Sequence, residues 1–288
     1  LEVAEAGGFS KAADYDPSKQ SQFSRQVGEL EEYFKVKLKR QKGRGIELTD
    51  EGKQLAGIAR QCFSDFSDFY NQHNNKQLTF VIAAHLVEIN WILTPRLSSL
   101  MSKLGRLNLA FELHDLTTKN IIDQINDNSA HFAILREDAV PTTLDSISLG
   151  EYGYSLFAPI EKIGDTKRPN WKSIMNKIPL ATMVSEGQFS QALEKAAKEN
   201  EINLDVRLRC SSFETAAAAL RSGDYAVILP DIHESNLESG VAKKISAPFL
   251  KNQRRKLALA WKPKLFDVKA RSKEVFTALK SVLKLKNP

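Results

Sequence analysis

Residues 10–49 read SKAADYDPSKQSQFSRQVGELEEYFKVKLKRQKGRGIELT. Asp16-Pro17 predicts the start of a helix, because aspartate accepts hydrogen bonds from the free amides of the first turn and proline loses none there. The helix is predicted to bury one face, made of apolar residues at steps of four, three and four: Phe23, Val27, Leu30 and Phe34. A short helix and a tight turn precede it, so the segment begins as a helix-turn-helix.

The opposite face of this helix is polar and suits contacts with DNA. Arginine can donate two hydrogen bonds to guanine, and glutamine can pair with adenine in the same way, in a major groove. An ordinary solvent-exposed helix is an equally good interpretation of this helix alone. The candidate DNA-binding residues are Ser18, Lys19, Gln20, Ser21, Gln22 and Arg25.

The next segment is strongly basic, since residues 35–44 contain lysines and arginines but no acid. Gly43 and Gly45 flank Arg44, so residues 38–41 and 46–48 can pair as a hairpin, the wing. Lys42 and Arg44 at its tip would contact the phosphate backbone. The glycines are not a nucleotide-binding loop, because no Gly-Lys-Ser/Thr follows them. The segment therefore predicts a winged helix-turn-helix.

Several short motifs, in this order and spacing, resemble those of LysR-type transcriptional regulators. They are Ala4-Glu5, Gly8-Phe9-Ser10, Ala12-Ala13, Ser24-Arg25-Gln26, Leu30-Glu31, Gly43-Arg44-Gly45, Leu48-Thr49 and Gly52. The family usually has Ser-Gln-Pro where this chain has Lys19-Gln20-Ser21, and Phe-x-Arg where it has Lys39-Arg40-Gln41. The resemblance implies a sequence-specific DNA-binding transcriptional regulator, and a first helix that begins upstream of Leu1.

A long helix is predicted from Thr49, a capping residue that two acids follow. Apolar residues recur along it with a spacing typical of a coiled-coil seam: Leu55, Ile58, Ala59, Cys62, Phe66 and Phe69. A helix between two domains has little of its own chain to pack on, so we favour a dimer over a single-chain core. The resemblance implies the same, because this helix forms the dimer coiled coil in the family.

From Leu78 the pattern changes to strands that alternate with helices, which predicts a mostly parallel sheet with helices on both faces. The predicted strands are 78–84, 107–113, 132–135, 180–184, 204–208 and 225–229. The predicted helices are 91–104, 119–126, 188–200 and 213–221. The pattern occurs twice, with a junction at 158–169, and a last helix at 272–285 is expected to return to the first lobe.

These observations predict an α/β multidomain protein. Its parts are a winged helix-turn-helix DNA-binding domain (1–48), a linker and dimerisation helix (49–76) and an effector-binding module (77–288). The module is doubly wound, with lobe I at about 77–158 and 255–288 and lobe II at about 159–254. This two-lobed arrangement resembles a periplasmic-binding-protein fold, as in the LysR family.

In such sheets ligands bind outside the carboxyl ends of the strands, where helix N-termini offer amides to anions. The candidate effector-binding residues follow predicted strands: Ala84, His85, Thr117, Thr118, Arg136, Ser185, Gly187, Gln188 and Pro230. Thr117 and Thr118 have an alternative role as helix caps, and Arg136 as a surface ion pair with Glu137 or Asp138. The expected effector is a small anionic molecule.

The composition is that of a soluble globular protein, with 42% hydrophobic and 26% charged residues. The net charge of +6 lies largely near the C-terminus, in Arg254, Arg255, Lys256 and a lysine-rich end. We interpret this basicity as a solvated helix face rather than a second nucleic-acid site. Two distant cysteines, no apolar run of membrane-spanning length and no secretory signal predict a cytoplasmic protein without membrane contact.

The sequence carries none of the motifs that common α/β enzymes use: nucleophile elbow, zinc-ligand spacing, phosphate loop or dinucleotide fingerprint. We therefore expect no enzymatic activity, no cofactor and no metal. The alternative is a two-lobed solute-binding or enzymatic α/β protein with an incidental helical N-terminal domain, but a transport protein would carry a signal peptide. The expected partners are double-stranded DNA, a small-molecule effector, further copies in a homodimer or homotetramer, and RNA polymerase.

Overall fold

The computed structural model describes residues 1–42, 45–74, 76–105, 107–164, 169–184, 188–232 and 240–285. Its N-terminal elements are α1 (Glu2–Ala6), α2 (Phe9–Ala12), α3 (Pro17–Phe34), β1 (Lys39–Lys42) and β2 (Gly45–Leu48). The Asp16 carboxylate accepts hydrogen bonds from the Ser18 and Lys19 amides, at 2.8 and 3.3 Å, so the predicted helix start is confirmed. Strands β1 and β2 form the predicted antiparallel hairpin, although Gly43 and Arg44 lie outside the described residues.

The predicted buried face of α3 is wrong. Phe23 and Val27 are half-buried, and Leu30 and Phe34 remain 43% and 45% exposed. The reason is a shortage of covering side chains, because α1 and α2 span only about one turn each. Among the described residues up to 48, the buried apolar side chains are Val3, Ala13 and Leu38.

The long helix α4 (Asp50–His73) begins as predicted, because the Thr49 hydroxyl accepts a hydrogen bond from the Gly52 amide at 3.0 Å. One face is the predicted apolar seam, on which Phe66 and Phe69 are 73% and 66% exposed. The opposite face packs on the C-terminal module, where Asp68 forms a buried ion pair with Lys269 at 2.9 Å. Our expectation that this helix has little of its own chain to pack on is therefore wrong for that face.

The C-terminal module contains one mixed sheet with the order β4-β3-β5-β11-β6-β9-β7-β8, to which β10 is added beside β6. Its strands are β3 (Leu78–Ala84), β4 (Leu109–Asp115), β5 (Phe132–Arg136), β6 (Asp145–Pro159), β7 (Leu180–Met183), β8 (Val206–Cys210), β9 (Ala226–Pro230), β10 (Ala242–Ile245) and β11 (Arg254–Trp261). All six predicted strands are present, with ends that differ by at most two residues. The parallel pairings join β3 to β4 and β5, and β7 to β8 and β9.

Strands β6, β10 and β11 were not predicted, and they are antiparallel to their neighbours. The interpretation of Arg254, Arg255 and Lys256 as a solvated helix face is wrong, because these residues begin β11. Residues 145–153 of β6 pair with β11, whereas residues 154–157 pair with β9. Strand β6 therefore runs from one half of the sheet to the other.

The described helices of the module cover both halves of the sheet. They are α5 (Leu86–Glu88), α6 (Leu97–Leu104), α7 (Thr118–Asn126), α8 (Ile160–Ile163), α9 (Trp171–Lys177), α10 (Gln188–Glu199), α11 (Phe213–Arg221), α12 (Leu265–Val268) and α13 (Ser272–Leu283). Helix α13 packs on α6, and the Leu285 amide donates to the Leu149 carbonyl at 2.7 Å, so the last helix returns to the first lobe as predicted. Among the described helices, none combines the length and apolar character that a membrane span requires.

The helix predicted at 91–104 begins earlier and changes its winding. A π-helical turn (Ile89–Leu93) and a 3₁₀ turn (Thr94–Arg96) separate α5 from α6. Pro95 explains the change, because proline has no amide hydrogen and its ring displaces the carbonyl four residues earlier. The Arg96 guanidinium donates to the Trp91 carbonyl, four residues before Pro95, at 3.5 Å and to the Ile92 carbonyl at 2.7 Å.

Candidate DNA interface and effector site

The candidate DNA-binding side chains on α3 share one exposed surface. All six are exposed: Ser18, Lys19, Gln20, Ser21, Gln22 and Arg25. Arg25 approaches Glu29 one turn later at 3.5 Å, and with both side chains largely exposed this contact holds it weakly. The surface can therefore present a guanidinium, amides and hydroxyls to a partner without unfolding any part of the helix.

The wing is fastened to the end of α3 by one carboxylate. Glu31 accepts hydrogen bonds from the Leu38 and Lys39 amides, at 2.8 and 3.3 Å, and Leu38 is buried beneath the hairpin. The Lys39 ammonium lies 4.7 Å from the centre of the Phe9 ring, and Arg40 pairs with Glu47 at 2.6 Å. These contacts fix the hairpin relative to α3. Lys42 ends β1, and Arg44 lies outside the described residues.

In the first lobe, the structure brings together two of the candidate effector-binding residues. Ala84 ends β3, and His85 follows it with its Nε2 atom 3.0 Å from the Thr118 hydroxyl. Thr117 is the cap of α7 and accepts from the Asn120 amide at 3.4 Å, so the capping alternative applies to Thr117. The Thr118 hydroxyl instead faces the carboxyl end of β3.

Burial and nearby charges shift the pKa of the His85 imidazole. Burial lowers the pKa of His85 below its usual value, and two nearby cations, Arg255 and Arg136, lower it further. Arg136 ends β5 and pairs with Asp138 at 3.3 Å, which is the surface ion pair considered as its alternative role. Arg136 and Arg255 also line one cavity of about 530 Å³ beside the start of β11, and the rest of its lining is Arg254, Lys256 and three carboxylates, Glu137, Asp138 and Glu151. Two of the arginines are paired there, Arg136 with Asp138 and Arg254 with Glu151, so an anion would meet Arg255 as the guanidinium beside these two pairs.

A buried acid close to this cluster was not predicted. Glu88 is only 3% exposed, and its Oε1 atom accepts a hydrogen bond from the Tyr152 hydroxyl at 3.3 Å. Burial raises the pKa of Glu88 to about 7. Tyr152 in turn is hydrogen-bonded to Tyr154, and Tyr154 to Arg255, so these side chains form one network at the β6–β11 pairing.

The two halves of the module meet close to Glu88. The Asn90 amide donates to Glu214 Oε1 on α11 at 3.1 Å, and the Trp91 and Phe213 rings are 6.0 Å apart. Within the described part of the chain, the second carboxylate oxygens of Glu88 and Glu214 are buried and accept no hydrogen bond. Buried acceptors of this kind are costly, so each would be stabilised by a bound donor.

These residues were missed for an identifiable reason. Tyr152, Tyr154 and Arg255 lie on two strands that the sequence pattern did not reveal, and Glu214 belongs to a predicted helix with no local signal of a site. For Glu88, its position three residues after His85 was the only available signal.

The candidate residues of the second lobe are only partly described. Ser185 and Gly187 lie outside the described residues, and Gln188 is described only as the first residue of α10. Pro230 ends β9 opposite Tyr154, which places it beside the tyrosine network. From this lobe, the structure therefore adds Pro230 to the cluster.

Comparisons with known proteins agree with this architecture. Three solved structures are similar in fold: full-length OxyR of Pseudomonas aeruginosa (15% identity, TM-score 0.65, 100% of this chain and 96% of that chain), the LysR family regulator CbnR (15%, 0.55, 96% and 96%), and CbnR complexed with its target DNA (16%, 0.52, 96% and 96%). At these identities the likeness is one of fold alone. No curated protein matches the sequence of this chain.

Two family matches cover most of the sequence. Residues 1–53 match the bacterial regulatory helix-turn-helix proteins of the lysR family, and residues 72–271 match the LysR substrate binding domain. The second match alone extends over more than half of the 288 residues. The chain therefore belongs to the LysR family of DNA-binding transcriptional regulators with an effector-binding domain.

Proposed function

We propose that this LysR-type regulator reads a specific DNA sequence with α3, holds the DNA backbone with its wing, and changes its DNA binding when a small molecule occupies the module. The observation that carries the proposal is the polar face of α3, which stays exposed beside a basic hairpin. The CbnR relative, whose structure includes its target DNA, supports it. We assign residues 1–48 to DNA binding, 49–76 to the linker helix and 77–288 to effector binding.

Selection of duplexes from a random library tests the first part of this function. The full-length protein should enrich a defined sequence, and its affinity for that sequence should fall steeply as salt rises, because lysine and arginine contacts displace counterions. Enrichment of no sequence over many rounds would contradict a sequence-specific regulator. A salt-independent affinity would contradict contacts from the wing.

The working unit is proposed to be a homodimer or homotetramer. The seam of α4 exposes Ile58, Phe66 and Phe69, and Phe63 beside the seam is exposed as well. A contiguous apolar surface of this kind is typical of an interface. A coiled-coil partner would bury these rings and would place two α3 helices on one DNA duplex. The proposed place of action is the cytoplasm, with regulation of transcription rather than catalysis.

The effector is proposed to be a small anionic molecule that also carries a hydrogen-bond donor. Its anionic group would meet Thr118 and Arg136 at the carboxyl ends of β4 and β5, where Arg255 adds a further positive charge. Its donor would meet the buried Glu88 oxygen, which accepts nothing in the described structure. A hydroxy or amino acid combines both features, whereas a simple carboxylate has only the first.

A thermal-shift screen tests this effector class. Lactate and propionate form a matched pair, because they carry the same charge and differ only in the hydroxyl donor beside the carboxylate. Lactate should raise the melting temperature more than propionate. Stabilisation by propionate as strong as by lactate would contradict the role of Glu88.

A further inference from the structure

Helix α7 has one end in the proposed effector site and the other end on the linker helix. Its first residue, Thr118, contacts His85 at 3.0 Å. Ile121 and Ile125 are fully buried against the sheet, so the nine residues form a firmly packed rod of about 13 Å. A displacement of the Thr118 end would therefore be carried to the Asp127 end rather than absorbed along the helix.

The C-terminal end of α7 is fastened to α4 by three contacts. The Arg60 guanidinium donates to the Asp127 carbonyl at 2.8 Å and lies 3.2 Å from the Asp127 carboxylate. The Asn128 amide donates to the Gly57 carbonyl at 3.0 Å. A Cβ atom on Gly57 would lie 3.3 Å from the Asp127 Cα, so the absence of a side chain permits this close approach.

Arg60 has a second partner residue, which lies in the DNA-binding domain. Its Nη2 atom lies 3.7 Å from a carboxylate oxygen of Glu5 on α1. The Arg60 side chain is largely buried, whereas Glu5 is exposed. One planar guanidinium thus contacts the effector module and the DNA-binding domain from a position on the linker helix. A guanidinium suits this role, because it offers several donors in a fixed geometry and keeps its charge.

We propose that Arg60 couples the effector site to the DNA-binding domain through α7. An effector that alters the His85–Thr118 contact would shift α7 and with it Asp127. The Arg60 guanidinium would then change how strongly it contacts Asp127 on one side and Glu5 on the other. The inference rests on the proposed function, because Thr118 belongs to the proposed effector site. By thermodynamic linkage, DNA bound to the N-terminal domain must then also perturb α7.

Hydrogen exchange on the full-length protein, with and without a duplex selected from a random library, tests this coupling. DNA binding should slow amide exchange in residues 118–128 by about fivefold or more. A factor of about five is the lower end of the coupling that is typical between two sites of one protein. Arg60→Gln should remove this DNA-dependent slowing. Lys53→Gln serves as the control, because Lys53 lies on the same helix and pairs with Asp50 of that helix at 3.8 Å.

A second variant keeps the coupling testable if Arg60→Gln does not fold properly. Glu5→Gln changes an exposed side chain and should reduce the same DNA-dependent slowing. If Arg60 is only a structural clamp, Arg60→Gln will raise exchange equally with and without DNA, and the difference between the two states will persist. DNA binding that leaves exchange in 118–128 unchanged in the parent protein would overturn the coupling alone. Failure of the parent to bind any duplex would overturn the proposed function and the coupling with it.

Discussion

At the scale of single residues, adjacent threonines at the start of α7 have different hydrogen-bond partners. Thr117 accepts from a backbone amide of its own helix, whereas Thr118 contacts the His85 imidazole on another element. The capping hydroxyl contributes to helix stability, at about 1 kcal/mol in typical proteins. The Thr118 hydroxyl makes its contact outside the helix. Under the proposed function, the two positions should therefore separate stability from effector response.

The substitution Thr118→Val should abolish effector-dependent transcription and leave effector-free DNA affinity nearly unaltered, because the hydroxyl would touch ligand and not DNA. Thr117→Val is the matched control and should mainly lower the melting temperature, since it removes the cap. A reporter assay and a thermal melt on both variants measure the two effects. If Thr118→Val lowers the melting temperature and keeps the effector response, Thr118 has only a structural role.

Glu88 should make the stability of the protein depend on pH. Burial raises its pKa to about 7, so the folded chain holds a proton between pH 4.5 and 7 that the unfolded chain has released. Its raised pKa thus favours the folded state at low pH, and this advantage is lost as pH rises through about 7. Relative to Glu88→Gln, the parent should lose about 3 kcal/mol of unfolding free energy at most from pH 5 to pH 8.

Denaturant titrations of both proteins at pH 5 and pH 8 measure this difference. The Glu88→Gln variant keeps a side-chain oxygen that can accept a hydrogen bond from Tyr152. The substitution therefore removes the titrating group and retains the hydrogen bond. A stability difference that is the same at both pH values would mean that the Glu88 carboxyl has an ordinary pKa.

At the scale of secondary-structure elements, α4 has two faces with different partners. The face with Gly57, Arg60 and Asp68 packs on the module of its own chain. The seam with Phe66 and Phe69 faces solvent in the single chain. An isolated chain with this many exposed rings would be prone to associate, and a second α4 offers a matching surface.

Phe66→Asp should dissociate the proposed dimer, because it places a charge where apolar side chains from two chains would meet. Ser67→Asp adds the same charge at the next residue, which is exposed and off the seam, and should leave assembly unchanged. Sedimentation velocity measures both. A folded Phe66→Asp variant with an unaltered oligomeric state would mean that the long helix packs elsewhere.

The elements that the sequence predicted are those with a strong local signal. Strand β3 is apolar except for Thr79, and its ends were predicted correctly. Strand β6 was not predicted because glycines interrupt its sequence pattern. Gly150 has a φ of 100° at a register shift against β11, and Gly153 packs against Asp231. The start of β11 carries three cations, which locally resembles a solvated surface.

The candidate site was likewise predictable only where its residues follow strands with a strong local signal. His85 directly follows the predicted strand 78–84, and Thr118 follows the predicted strand 107–113 after a short loop, so the strand-end rule places them together. Glu88, Tyr152 and Arg255 meet only through the pairing of β6 with β11, whose partners lie about a hundred residues apart in the chain. No local pattern encodes such a pairing, because it depends on the register of the whole sheet.

At the scale of the whole molecule, one chain carries three surfaces with separate proposed roles. The polar face of α3 would read DNA, the seam of α4 would pair two copies, and the cluster around His85 and Glu88 would hold the effector. Two copies joined at the seam would present two α3 helices to sites with dyad symmetry. An effector can alter this arrangement only if it binds one packing of the modules better than another.

The most direct test of this account is the affinity of Arg25→Ala for the selected duplex and for a scrambled duplex of the same length. Arg25 is exposed and its pairing with Glu29 is weak, so its removal should leave the fold intact. Binding to the selected duplex should weaken by about 1 to 3 kcal/mol, with a smaller loss on the scrambled duplex. Equal affinity of the variant and the parent protein for the selected duplex would contradict it.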